Sequence, residues 1–346
     1  MSVNEKFIKS VFKGMVQYKP NLSAFLDEED ESYDIRELSN NISKAFPWPI
    51  GIEIRRLLSG NLEALSRGRI DQIFKTVERT MQFLSFVLLT QLHDHSVKND
   101  LKISLSFKKQ FKTRFITLTM GNYAWIIREM INIMSENSIK PFINEMETTC
   151  TKNFLNKLDY WTQERNEIGH YQVNLSDEEI EVRCNEYLDK LGEILSDIAF
   201  IIKYPLITVT EIQLIKAKGE PEHYLHSMLI LNSSSSNFLG KNDDFQQFTD
   251  THSVLLVKSL KNLTNEFLNL SPLIIDTHSE KMDNREKLLK LKKDIYLYSK
   301  WDLRSNSLHY IGTEATEKPD MKLASFYDHL VKAHEEIMIT FSIAED

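Results

Sequence analysis

Cysteine and glycine are both scarce in this chain of 346 residues, and each scarcity removes a class of protein. The two cysteines, Cys150 and Cys184, form no CxxC pair and no Cys/His cluster at zinc-ligand spacing. A disulfide framework and a structural zinc site are therefore not expected. The chain has ten glycines, and none of them lies in a glycine-rich phosphate-binding loop, so a nucleotide site of that kind is not expected either.

Long apolar runs and an excess of positive charge are also missing. The longest apolar stretch, around residues 83–92, is too short to cross a bilayer, which takes roughly 20 apolar residues. The first fifteen residues lack the apolar core of a secretory signal, so we expect a cytoplasmic protein without a membrane partner. A formal net charge of -8 argues against a protein that coats nucleic acid through its overall field.

Apolar and aromatic side chains, in contrast, are plentiful. Hydrophobic residues make up 42% of the chain and charged residues 27%, which is typical of folded globular proteins. The length favours more than one domain. The expected division is an N-terminal helical extension over residues 1–65, a helical domain over 66–204 and a β-rich accessory domain over 205–346.

Apolar residues recur at helical spacing in the first part of the chain. The predicted helices cover residues 5–16, 35–45, 69–92, 120–134, 145–168 and 176–198. The last of these helices begins with the S-x-x-E capping box of Ser176 and Glu179. The last four helices are enough for a bundle. The proline-punctuated stretch 46–51 is hard to place.

Beyond residue 205 the pattern changes to short β-type runs. The predicted strands cover residues 206–216, 224–231, 253–257, 267–275, 295–298 and 308–311. The polar connections 232–250 and 276–287 are expected to be surface loops, and a final helix is predicted over 321–337. The predicted fold class is α+β, with an N-terminal all-α bundle followed by a mostly β domain and a terminal helix.

The sharpest local pattern lies at the end of the helix predicted over 145–168. Arg165 continues the apolar stripe of Leu158, Trp161 and Ile168 at steps of three, four and three residues. A guanidinium on a packing face needs a partner or a function, because an unpaired buried charge is costly.

Gly169 and His170 follow this stripe directly. On an unbroken helix His170 would be rotated by roughly 140° from Arg165. Glycine is the usual residue where a helix ends in a left-handed turn, so we expect Gly169 to redirect His170 toward Arg165 and Asn166. An arginine, an amide and a histidine at one helix end can bind a phosphodiester and transfer a proton.

The residues Arg165-Asn166-x-x-x-His170 resemble the R-x4-6-H signature of HEPN domains, in which a polar residue often follows the arginine. The order of the helices is also similar, over roughly residues 66–203. The resemblance implies a dimer that cleaves RNA without metal. It also implies that His170 handles the proton of the attacking 2′-hydroxyl or of the leaving oxygen, that Arg165 stabilises the charge on the phosphate and that Asn166 orients the pair.

Two further points bear on this resemblance. Some HEPN toxins carry R-x4-H-x-Y with a tyrosine that is modified; here Tyr171 comes one position early and Gln172 fills its place, so that regulation is in doubt. The alternative interpretation pairs Arg165 with Glu164, Glu167 or a neighbouring helix and leaves His170 as an ordinary helix-terminal residue.

Basic and aromatic residues alternate over 106–115, the combination that holds single-stranded RNA. The predicted substrate-binding residues are Lys108, Lys109, Lys112 and Arg114. The alternative is a solvated connector whose phenylalanines enter the core. Arg55-Arg56 and Arg67-Arg69 either flank an RNA path or lie on a helix surface.

Two pairs of histidines resemble metal ligands only superficially. His93 and His95, on either side of Asp94 at a helix end, do not share a face. His223 and His226 lie on opposite faces if their segment is a strand. We therefore expect no metal and no cofactor.

The resemblance implies a metal-independent endoribonuclease of HEPN type, acting as a toxin or anti-phage defence effector that its C-terminal domain or an inhibitory or sensor partner regulates. The expected partners are RNA and a second copy bound through the helical domain. The alternative is a non-catalytic HEPN-like module that binds RNA or nucleotide or serves assembly.

Overall fold

The computed structural model has an α+β fold, as predicted, with helices in the N-terminal part and antiparallel sheets followed by a helix in the C-terminal part. The structure describes residues 3–26, 34–170, 175–232, 239–251, 253–278, 292–314, 319–324 and 326–343.

Two compact units make up the chain, and each of them draws on separate stretches of sequence. The first unit contains residues 1–83, 143–205 and 231–238, and the second unit contains residues 84–142, 206–230 and 239–346. The units thus combine segments that a linear division of the chain separates.

Helices form the first unit. They are α1 (Val3–Val16), α2 (Ile35–Ala45), α3 (Trp48–Leu57), the first half of α4 (Arg67–Lys98), the short α7 (Met146–Thr149), α8 (Lys152–His170) and α9 (Asp177–Asp197). Helix α1 packs against α9 and α2, and α2 packs against α3.

The second unit combines helices with two antiparallel sheets. Its helices are the second half of α4, α5 (Leu105–Ile116), α6 (Met120–Glu136) and α10 (Tyr327–Phe341). The five-stranded sheet has the order β3-β2-β1-β4-β5 and the three-stranded sheet the order β6-β7-β8. The strands are β1 (Leu206–Ile215), β2 (His223–Ile230), β3 (Leu239–Phe245), β4 (Val254–Val257), β5 (Phe267–Asn269), β6 (Ile274–Asp276), β7 (Ile295–Asp302) and β8 (Ser307–Gly312).

Local capping signals placed several helices correctly. The predicted capping box is confirmed, because the Ser176 side chain accepts from the Glu179 backbone N–H and the Glu179 side chain accepts from the Ser176 backbone N–H. Helix α2 has the predicted bounds, and the Asp34 side chain caps it by accepting from the backbone N–H groups of residues 36 and 37.

Two helices went unrecognised in the sequence. Helix α3 covers the proline-punctuated stretch, because Pro49 occupies its first turn, where a missing N–H costs nothing. The stretch 106–115 is helix α5 rather than a connector; Ser104 caps it, and Phe107, Phe111 and Phe115 are buried at four-residue spacing.

One expected loop and two expected element boundaries are also corrected. The connection 232–250 contains strand β3, whose polar sequence fits the partly exposed edge of a sheet. The run 267–275 divides at Pro272, which lacks the N–H that a sheet ladder needs, so β5 and β6 lie in different sheets. The helix predicted over 145–168 is divided at Cys150, whose backbone is not helical.

Candidate functional site

Arg165 lies on α8 between residues that are buried, but it is itself exposed. Leu158, Trp161 and Ile168 have 4% exposure or less, whereas Arg165 and Asn166 face solvent. The expected burial of Arg165 is therefore wrong, because a long guanidinium side chain can reach solvent from a position between buried neighbours. Among the described residues, Arg165 has no hydrogen-bond or ion-pair partner.

The backbone at the end of α8 also departs from the expectation. The helix continues through Gly169 to His170 and does not end in a left-handed turn at the glycine. On a continuous helix, position 170 lies about 140° around the axis from position 165. The two positions of one chain therefore lie on different sides of α8. Tyr171 and Gln172 fall outside the described residues.

Glu164, which the alternative interpretation paired with Arg165, is bound elsewhere. Its carboxylate accepts a hydrogen bond from the Tyr187 hydroxyl at 2.5 Å and lies 3.6 Å from Nη1 of Arg183, both on α9. Arg183 also donates to the Tyr187 hydroxyl oxygen at 2.8 Å. Burial and then the Glu164 carboxylate raise the pKa of Tyr187 above its ordinary value. Glu164 thus ties α8 to α9 and leaves the Arg165 charge without this counterion.

Three aromatic rings hold the same helices together. Trp161 meets Phe74 at 5.4 Å between ring centroids and Tyr187 at 5.5 Å, and Phe74 meets Tyr187 at 5.3 Å. The two pairs that include Phe74 are edge-to-face, a geometry that stabilises a core beyond the area that it buries. The helix turn that precedes Arg165 is therefore anchored in the core.

A pocket of ≈ 200 Å³ lies along α8 and α9, on the N-terminal side of the motif. Lys190 Nζ lies 4.6 Å from the centroid of the Tyr160 ring, and Trp161 also lines the pocket. Lys157 Nζ is neutralised by Asp197 at 2.7 Å and Glu193 at 3.4 Å. The pocket thus combines an aromatic surface with two lysines and one glutamate.

The predicted RNA-binding residues of α5 lie in the second unit. Phe107 stacks on Trp125 at 5.1 Å, Phe111 packs against Phe341, and Phe115 packs against Tyr298. Because these phenylalanines are buried, they are not available to stack on bases. The stacking role is therefore wrong, and the alternative that the phenylalanines enter the core is confirmed.

The basic residues of α5 differ in their surroundings. Lys109 is exposed, and Lys108 and Lys112 are half-buried. The Arg114 guanidinium lies 4.7 Å from the centroid of the Trp125 ring and donates to the side chain of Gln110. Lys109 is the one among them that the structure leaves well exposed to solvent.

The sequence analysis missed a buried cluster around Glu53, whose side chain is 1% exposed. Both Glu53 oxygens lie 3.2 Å from Nη1 of Arg56, and Oε1 lies 3.3 Å from Nζ of Lys75 and 3.9 Å from Nε of Arg79. Gln72 donates to Oε2 at 2.9 Å. Three cations thus surround one carboxylate.

Arg69 is the first residue of a buried polar stripe on α4. Gln72 and Arg79 of the same stripe contact Glu53. Arg69 is fully buried and donates to the Leu62 carbonyl and to the Asn4 side-chain oxygen, and burial lowers its pKa. The interpretation of Arg69 as part of a helix surface or an RNA path is therefore wrong. Arg69, Gln72, Thr76 and Arg79 follow one another at three- and four-residue steps, a signal that the sequence contained.

The two histidines of strand β2 do not form a metal-binding pair. His223 is half-buried and His226 is buried, three residues apart, so they lie on opposite faces as predicted for a strand. Within the described part of the chain, no group of three or more His, Cys, Asp or Glu residues could hold a metal ion, and no helix is long and apolar enough to cross a membrane.

Together the fold and these residues define an α+β protein whose helical unit presents an exposed Arg165-Asn166 pair on a well-supported helix. Comparison of the chain with family models, with curated proteins and with solved structures gave no match.

Proposed function

We propose that this protein is a metal-independent endoribonuclease of HEPN type in which Arg165, Asn166 and His170 act on RNA. The observation that carries the proposal is the exposed Arg165, which has no partner among the described residues and whose neighbour Glu164 is held by α9. A free guanidinium beside an amide suits a phosphodiester, because it forms paired charge-assisted hydrogen bonds with phosphate oxygens.

The proposed reaction is an internal transesterification. His170 takes the proton of a 2′-hydroxyl, whose oxygen then attacks the adjacent phosphorus. The bond from phosphorus to the 5′ oxygen breaks, a second histidine protonates that oxygen, and a 2′,3′-cyclic phosphate remains. Arg165 stabilises the charge that develops on the non-bridging oxygens, and Asn166 orients the phosphate.

A second copy of the chain supplies the second histidine in this proposal. One chain offers a single His170 in the motif, and positions 165 and 170 lie on different sides of α8. Two α8 helices around a twofold axis bring Arg165 of one chain toward His170 of the other. The proposed homodimer therefore forms through the helical region, and its interface is expected to bury more than roughly 1,000 Å².

Incubation of the purified protein with single-stranded RNA in EDTA tests the proposal. We expect cleavage products that end in a 2′,3′-cyclic phosphate, and their rate of formation should fall at least roughly 100-fold in Arg165→Ala and in His170→Ala. A 1:1 mixture of wild type with His170→Ala should lose activity beyond dilution, because a mixed dimer retains only one of the two histidines that the reaction uses.

Two exposed residues outside the motif serve as matched controls. Arg304→Ala and His329→Ala remove the same side-chain types from the second unit, and they should leave the cleavage rate unchanged. Cleavage that needs a divalent metal, or equal cleavage by wild type and His170→Ala, would refute this mechanism.

Lys109 is proposed to contribute a phosphate contact. Its exposure on α5 supports this role, whereas the buried phenylalanines of that helix exclude base stacking there. Replacing it with glutamine should weaken RNA binding by less than roughly tenfold and should reduce the dependence of binding on salt by about one phosphate contact.

A non-catalytic HEPN-like binding module is the second proposal. The continuous helix through His170 favours it, because the motif residues of one chain do not converge on one side of α8. Tight binding of RNA or nucleotide without turnover, unchanged in His170→Ala, would support the module over the nuclease.

A toxin or defence role, held in check by the C-terminal region or a partner, is proposed with the nuclease. Expression in a bacterial host should arrest growth, and Arg165→Ala should relieve the arrest at equal protein level. Equal toxicity of both proteins would contradict this role.

A further inference from the structure

Strand β3 lies at the edge of the five-stranded sheet. Among the described residues it pairs with β2 alone, through seven residue pairs from Leu239↔Ile230 to Phe245↔Tyr224. The other side of such a strand presents backbone N–H and C=O groups that can pair with a further strand. The kind of strand that fits is set by the side chains of β3.

The β3 sequence is complementary to itself in the antiparallel direction. When two copies are aligned about Asn242, Lys241 of each copy lies opposite Asp243 of the other, and Leu239 lies opposite Phe245. These four residues alternate along the strand, so they share one face of the sheet. Each copy thus meets an opposite charge and an apolar residue at the matching positions, and such cross-strand pairs stabilise a sheet.

Apolar side chains on this face, and one beside it in the loop after β3, are left exposed by their own chain. Leu239 is 61% exposed, Leu214 63% and Phe248 67%. Leu214 pairs with Tyr224, and Tyr224 pairs with Phe245, so this apolar row reaches β3 from the neighbouring strands. The Phe248 ring lies 5.6 Å from the Tyr224 ring. An apolar surface therefore adjoins the edge strand, and covering it with another chain would remove exposed apolar area from water.

Charged residues on an edge strand usually discourage pairing with other chains. Lys241 forms an ion pair with Asp243 of its own strand, and each side chain is 38% exposed. Their opposite signs at symmetric positions make them compatible with one partner in one register. A shift of two residues, which keeps the same faces together, would place Asp243 against Asp243 in one direction and Lys241 against Lys241 in the other.

We propose that β3 is the contact surface for a second copy of this chain, which pairs antiparallel with it about Asn242 and joins the two five-stranded sheets edge to edge. The contact is isologous, so each copy contributes the same residues. It lies in the second unit and is separate from the contact proposed for the nuclease site.

Charge reversal tests the proposal without changing the length or the shape of the strand. In Lys241→Asp the contact would place aspartate against aspartate, and in Asp243→Lys it would place lysine against lysine. Like charges directly opposite one another are destabilising, so either variant should lower the average mass in solution to half that of wild type at micromolar concentration, measured by light scattering.

Mixing the two variants provides the sharper measurement. An Asp243→Lys chain offers two lysines to the two aspartates of a Lys241→Asp chain, so the 1:1 mixture should recover the wild-type mass as a heterodimeric contact. Repulsion within each strand persists on mixing, so recovery reports the contact between chains. Asn242→Asp is a second variant, which retains the Lys241–Asp243 ion pair and places two aspartates at the axis; it should also lower the mass.

The possible outcomes separate this contact from the nuclease dimer. A wild-type mass of one chain, 40.5 kDa, or equal masses for wild type, both single variants and the mixture, would overturn the β3 contact. If the single variants keep a mass of two chains while wild type is larger, both contacts are supported. If they fall to one chain and recover on mixing, the β3 contact holds and the shared nuclease cleft fails. Circular dichroism spectra that match wild type confirm that each variant is folded.

Discussion

On both α4 and α8, arginine belongs to a stripe of residues at three- and four-residue spacing. The surroundings of the arginines differ between the two helices. On α4, Arg69 and Arg79 are 0% and 4% exposed, and both lie within a buried polar stripe. On α8, Arg165 lies between buried apolar residues and is exposed. A buried arginine has lost its hydration, so it needs hydrogen-bond or ion-pair partners within the protein. An exposed arginine keeps its charge available to bind a ligand. We therefore expect the arginines of α4 to stabilise the fold, and we propose that the arginine of α8 acts on a substrate.

The largest effect on stability should follow from removing the carboxylate of Glu53. Glu53→Gln removes a buried carboxylate, and it leaves the buried Arg79 and the partly exposed Arg56 and Lys75 without their shared counterion. We expect the free energy of unfolding to fall by about 3–5 kcal/mol in chemical denaturation. The exposed Glu167→Gln on α8 is the matched control, and it should change that energy by less than about 0.5 kcal/mol. A similar small change for both variants would remove the contrast between the two helices.

His334 extends the comparison to a buried group that titrates in the second unit. It is 0% exposed, its ring lies 4.5 Å from the Tyr298 ring, and burial lowers its pKa to about 4. The unfolded chain therefore takes up the proton first as the pH falls, and the stability that the neutral ring contributes is lost between about pH 6.5 and pH 4.

The expected loss at His334 is about 3 kcal/mol at the acid end of that window, and it should be measured as the difference between wild type and His334→Gln. Both proteins share the titration of their other groups, so the difference isolates this ring. Parallel stability curves for the two proteins from pH 7 to pH 4 would contradict the assignment.

A smaller effect should separate Arg69 from Arg165 directly. Arg69→Met removes the donors to the Leu62 carbonyl and the Asn4 side chain, which remain buried, and should cost about 1–3 kcal/mol of unfolding free energy. Arg165→Met should change that energy by less than about 0.5 kcal/mol, because its side chain is exposed. If Arg165→Met destabilises the protein as much as Arg69→Met, the claim that only the arginines of α4 stabilise the fold is wrong.

The sequence predicted those elements whose signals are local. Ser176 and Glu179 marked the start of α9, and the β-type runs marked seven of the eight strands, two of them within one run. Local signals were misjudged where one residue type has two uses. Pro49 made its stretch hard to place but lies in the first turn of α3, and the lysines between Phe107, Phe111 and Phe115 concealed the apolar stripe of α5.

The burial of charged residues could not be predicted from the sequence, because it depends on which other segments pack against each residue. The spacing within α4 marks a polar stripe that includes Arg69, but it does not show that the stripe is buried; the Asn4 and Leu62 oxygens that bind Arg69 come from other segments. For the same reason the partners of Glu53 were missed, although their spacing was visible. At the candidate site the sequence supplied Arg165, Asn166 and His170, but it did not predict that α8 continues through Gly169.

The rate of RNA cleavage in EDTA by wild type and Arg165→Met, measured beside their unfolding free energies, tests the central claim most directly. We expect Arg165→Met to cleave RNA at least roughly 100-fold more slowly than wild type, while its free energy of unfolding stays within about 0.5 kcal/mol of the wild-type value. Equal rates for the two proteins, or a loss of activity that tracks a loss of stability, would contradict the claim.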